Sequence, residues 1–204
     1  MTVVPDFATN DELVDAVRLV KEERLQARTR DLPYRLAVLG TTTADLVEHA
    51  GGMLFDHVMA GWSVTVLLPP DADPKPLQIL GTRMLDLRIA LTMDLKPALA
   101  SRRRYPWPHK VMIAGDLCHR NDQLREALVR SFETGDPHTM LWGRNHPAFD
   151  EDDTATVEHQ LSNAARAFKR QALSATSVTT GVMPIESFVA NKVHAKATPA
   201  LHLA

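Results

Sequence analysis

A chain of 204 residues, with 23 basic against 25 acidic side chains and a formal charge of −2, shows no footprint of a nucleic-acid or anionic-membrane binder. Aromatic residues are only 5%, too few for a base-stacking surface, and the single cysteine, Cys118, has no intramolecular disulfide partner, so a reducing compartment is expected. The length suits one domain able to bury a full core unaided.

The amino terminus, MTVVPDFATNDE, lacks the basic-then-apolar pattern of a signal peptide. No apolar run approaches the roughly 18 residues that span a bilayer, so a cytoplasmic protein with no membrane contact is expected. Residues 1–33 read as an N-terminal helical extension, with Thr9 and Glu12 as a capping box and an apolar stripe at Leu13, Val14, Val17, Val20 and Leu25. Such a leading helix covers a sheet edge of its own domain or pairs with a second subunit.

Residues 34–173 read as the α/β domain, organised around the stretch from Tyr34 to Asp73. Leu36-Ala37-Val38-Leu39, stopped by Gly40, and Ser63 to Leu68, stopped by Pro69-Pro70, are apolar runs of the kind buried on both faces of a parallel sheet. Between them Leu46, Val47, Ala50, Leu54 and Val58 recur at helical spacing, which completes a βαβ unit. Gly51-Gly52 inside that helix is costly in propensity and is read as a place of close approach to another element.

After the Asp71–Pro76 turn, Leu77, Leu80, Met84, Leu87 and Leu91 predict a third helix, either well buried or an oligomer contact. The Ser101–His109 loop is basic and aromatic and leads to a third strand, Lys110–Ala114. A helix with Leu124, Leu128 and Phe132 inward follows, and then a weaker fourth strand, Thr139–Trp142. The acidic run Asp150–Asp153 suits the start of a helix whose buried face is Val157, Leu161, Ala164, Phe168 and Ala172. Residues 174–204 read as a weakly structured C-terminal tail, anchored at most by Val182–Ile185 and Phe188-Val189. The expected fold is a three-layer α/β sandwich with a mostly parallel, Rossmann-like or flavodoxin-like sheet of about four strands.

In such a sheet the ligand crevice lies beyond the carboxyl ends of the strands. That rule selects Thr41, Thr42 and Thr43 after the first strand, Asp71 after the second, Asp116 after the third and Arg144 after the fourth as candidate ligand contacts. The threonines also suit plain helix capping, and the aspartates suit turns. No phosphate-loop or dinucleotide fingerprint is present. Cys118-His119 lacks an orienting third group, and no histidine pairs with cysteine at zinc spacing. Asp45, His49 and His57 share a helix and read as a solvated face before they read as a metal site. His49-Ala50-Gly51-Gly52 with Gly61–Leu67 is similar to the opening of two-domain glycosyltransferases. The glycine pair lies inside the helix here, and the chain is too short for a second nucleotide-binding domain, so no family follows from it.

Two functions follow as expectations. One is a non-catalytic binding or regulatory module that acts through protein–protein contacts or self-association. The other is a small-molecule enzyme or sensor that takes a nucleotide or phosphorylated metabolite at the strand ends. No cofactor is specified by the residues.

Overall fold

The computed structural model describes residues 34–88, 108–120, 122–133, 138–143, 154–176 and 180–192. The expected N-terminal helix, the tri-arginine loop, Arg144 and the acidic run lie outside these residues.

The βαβ unit forms as the apolar runs require. Strand β1 (Arg35–Leu39) is buried along its whole length, helix α1 spans Thr43–Met59, and β2 (Ser63–Leu68) pairs parallel to β1 with Leu36 opposite Val64 and Val38 opposite Val66. Leu46, Val47, Ala50 and Leu54 face the core from α1 with no exposed surface. As far as Asp86, the expected long leucine helix is instead helix α2 (Lys75–Ile79), a turn and strand β3 (Arg83–Asp86), which pairs parallel to β2, and Leu91 lies outside the described residues. Gly81 stops the helix. Its φ is +74°, a left-handed conformation that glycine adopts without strain. The Thr82 hydroxyl then donates to the Leu77 carbonyl and caps the turn.

Strand β4 (Lys110–Ala114) returns to the other side of β1, and helices α3 (Gly115–Arg120) and α4 (Asp122–Glu133) lead to β5 (Thr139–Trp142). Both strands match their sequence assignments, and Leu124 and Leu128 are buried as their spacing predicts.

The region expected as one acidic-capped helix divides into strand β6 (Thr154–Gln160) and helix α5 (Asn163–Ala175). Ser162 decides the boundary, because its side chain accepts from the Ala165 N–H and starts α5 there. The upstream Thr154, Thr156 and Val157 are β-branched residues, suited to a strand. The expected tail supplies strand β7 (Ile185–Asn191), and this is an interior strand.

The sheet therefore has seven strands in the order β3-β2-β1-β4-β5-β7-β6, not about four. It is mostly parallel, with β7 antiparallel to both neighbours. Helices α1, α2 and α5 pack against one another as one layer. Among the described residues no helix is long and apolar enough to cross a membrane.

Candidate functional site

Strand order reverses at β1. The chain runs outward through β2 and β3, then returns to lay β4 on the opposite side of β1. The carboxyl ends of β1 and β4 thus flank the crevice in which doubly wound sheets bind ligands. Leu39 is paired with Ile113 and Ala114 with Trp142. One step beyond the β1–β4 pairs, the row across the sheet is therefore glycine, alanine, tryptophan. The small neighbours leave room for the indole of Trp142, which lies back over β1: a Cβ on Gly40 would sit 3.6 Å from its Cζ2.

From there the indole Nε1 donates to Asp45 Oδ2 at 3.0 Å. Asp45 stands in the first turn of α1 and takes a second partner on its other oxygen. His49, one helical turn on, approaches Asp45 Oδ1 with Nδ1 at 3.2 Å and the Asp45 carbonyl at 2.9 Å. Burial alone would raise the Asp45 carboxyl, but the hydrogen bonds from His49 and Trp142 hold it below the usual range. The same carboxylate raises His49 to about 9, against the opposing effect of burial. At neutral pH the pair is a carboxylate and an imidazolium, with the His49 side chain 41% exposed. Such a group can donate a proton or a charge-assisted hydrogen bond to an anion.

The expected contacts divide by position. Thr42 is the N-cap of α1, exposed, with its hydroxyl accepting from the Asp45 N–H at 3.2 Å. Thr41 beside it is half-buried. Thr43 is buried, and its hydroxyl donates to the Asp73 carbonyl at 2.9 Å, which ties the start of α1 to the loop after β2. Asp71 is exposed in that loop, and Asp116 is exposed in the first turn of α3. Cys118 is buried in α3 with its thiol toward the Ala114 carbonyl, and burial pushes it up to about 11, far from a nucleophilic thiolate.

His57 does not join His49. Its Nδ1 donates to the Met53 carbonyl, and its ring packs edge-on against Trp62 at 4.8 Å between centroids. Among the described residues no three His, Cys, Asp or Glu side chains gather as a metal-holding group. In the sequence Trp142 carries no site signal, and Asp45 and His49 read as a solvated helix face. The legible signal was an acidic residue in the first turn after a buried strand, with histidine one turn later.

No protein-family model matches the chain, and no curated protein matches it. Solved structures resemble it over much of its length. A deacetylase of teicoplanin biosynthesis, solved as a triple mutant, is 11% identical, with 78% of this chain and 97% of that chain covered and a TM-score of 0.48. The N,N'-diacetylchitobiose deacetylase of Pyrococcus horikoshii is 13% identical, with 98% and 99% covered and a TM-score of 0.48. The A40926 pseudoaglycone deacetylase is 16% identical, with 71% and 81% covered and a TM-score of 0.42. These solved proteins are deacetylases, and the expectation of a non-catalytic binding module is not carried forward. Of the two functions expected from the sequence, the small-molecule site at the strand ends goes forward.

Proposed function

We propose that the protein is a small-molecule enzyme of the hydrolase class whose site is the crevice at the carboxyl ends of β1, β4 and β5. The observation that carries this reading is the Asp45–His49–Trp142 constellation at the point where strand order reverses. Asp45, held by Trp142, orients the imidazole and keeps it charged. The imidazolium then offers a donor to a developing oxyanion, as in the hydrolysis of an amide, or to an anionic group on the substrate. Thr41, Thr42, Asp71 and Asp116 belong to this proposal as candidate contacts along the rim, and Arg144 as a candidate by its place in the sequence after β5. Thr43 enters it through its bond to the Asp73 carbonyl, which braces the rim.

The test reads ligand binding in the parent and in variants of the constellation. Thermal-shift and calorimetric screening against N-acetylated amino sugars, nucleotides and sugar phosphates is expected to give a hit, since a ligand at 100 times its Kd adds about 2.7 kcal/mol to the folded state. His49→Gln is then expected to weaken that ligand by at least about tenfold, or ~1.4 kcal/mol, while the free protein melts within a few degrees of the parent. A ligand that binds His49→Gln and Asp45→Asn as tightly as the parent places the site elsewhere and sinks the reading.

A further inference from the structure

Helix α1 is gripped at its middle from the side. In a regular helix the Gly52 N–H donates to the Glu48 carbonyl, four residues back. Here the Gly52 N–H donates to Glu186 Oε1 and the Met53 N–H to Glu186 Oε2, each at 2.8 Å. The Glu48 carbonyl accepts from Lys169 Nζ at 2.6 Å, and the same Nζ donates to Glu186 Oε1 at 2.6 Å. A lysine from α5 and a glutamate from β7 thus bond directly to backbone groups in the middle of α1. Both residues are 3% exposed.

The glycine pair makes the approach feasible. A Cβ on Gly51 would stand 3.6 Å from Lys169 Cγ, and one on Gly52 would overlap Leu161 at 2.4 Å. Burial pushes the Glu186 carboxyl up against the pull of the Lys169 ammonium, so the pair is bought at a desolvation penalty that an apolar pair would not incur. An apolar pair, however, could not hold a helix carbonyl and two helix amides. The residue after Glu48 is His49, and the gripped groups bracket its turn of the helix.

We infer that Lys169 and Glu186 are positioning residues for the strand-end site, fixing the turn from Glu48 to Gly52 and with it the imidazole of His49 against Asp45. The inference rests on the proposed function for its biological meaning, but its geometry is independent of any ligand. Among the described residues, the titratable groups that act on His49 are Asp45 and Glu48, both on its own helix. A change in its titration on altering Lys169 and Glu186 therefore reports a change in its placement relative to them.

The experiment is an NMR titration of imidazole resonances in the full chain, with His49 assigned by its disappearance in His49→Gln. In the parent the His49 midpoint is expected near 9. In the double variant Lys169→Met with Glu186→Gln, which removes both charges at similar volume, the midpoint is expected to fall by at least one unit, a tenfold change in proton affinity. A folded double variant whose His49 still titrates within a few tenths of the parent overturns the inference and leaves the pair a stability element. Should the double variant not fold, the isosteric Glu186→Gln alone is read by the same criterion. Failure of both to fold also assigns the pair to stability and overturns the inference. A shifted midpoint with a silent ligand panel removes the proposed function and keeps the positioning. A ligand hit with an unshifted midpoint does the reverse.

Discussion

His49 and His57 lie on one face-to-core helix and are driven in opposite directions by their surroundings. The Asp45 carboxylate raises His49 to about 9, and burial lowers His57 to about 4, from a common ordinary value of 6.5. For His49 the native state binds the proton more tightly. Its contribution to stability is complete below pH 6.5 and is lost as pH rises through about 9. Replacing Asp45 by Asn is expected to bring the His49 midpoint back toward 6.5, read by the same NMR titration. For His57 the sign reverses. Below 6.5 the unfolded chain takes up a proton that the folded chain refuses until about 4, so stability falls across that window. At 1.36 kcal/mol per unit the loss is about 3 kcal/mol. Denaturant midpoints measured from pH 7 to pH 4 are expected to decline in the parent and to flatten in His57→Phe. Cys118, buried with its thiol raised to about 11, is expected to react with a disulfide reagent only after the protein is unfolded. Rapid labelling of the native protein contradicts that placement.

At the scale of elements, the glycine pair in α1 shows how two neighbours of the same type carry different constraints. Gly52 meets three atoms of Leu161 within 2.9 Å of an added Cβ, at the junction between β6 and α5. Gly51 meets nothing nearer than Val47 Cγ1 at 3.3 Å. Gly52→Ala is therefore expected to destabilise by about 1–3 kcal/mol through overpacking. Gly51→Ala is expected to stay within about 1 kcal/mol of the parent, because its tighter contact is offset by better helix propensity. Chemical denaturation of the two variants checks the order. The close approach itself was readable from two glycines in a helix with a strong apolar face. Its partner was not, since Leu161 falls at helical spacing with Val157 and Phe168 and only Ser162 marks the break between strand and helix. The same ambiguity hid β3, where Met84, Leu85 and Leu87 fit a helical stripe until Gly81 is seen to turn the chain.

For the whole molecule, β7 is the strand that joins the carboxyl-terminal part to the parallel sheet. It pairs with β6 from Ile185 opposite Gln160 to Asn191 opposite Thr154, and with β5 through Val189 and Ala190. It also brings Glu186 to α1. A chain ended at Met183 is expected to lose its cooperative thermal transition in calorimetry, because β6 loses its sheet partner and Lys169 is left buried without its carboxylate. A sharp, parent-like transition in that truncation would show that the sheet stands without β7. By itself the sequence determined the parallel half of the fold. Apolar runs ended by glycine or proline, with a helical stripe between them, specify β1, α1, β2, β4 and β5 through local pattern and burial alone. It also selects the strand ends as the place to expect a ligand, since that expectation follows from topology. The tertiary structure decided the rest. Short polar-alternating segments such as Thr154–Gln160 and Ile185–Asn191 become strands only by pairing with each other, and Asp45, His49 and Trp142 meet only when β5 lies two strands from β1. Such contacts depend on residues far apart in the chain, whose meeting no local pattern encodes.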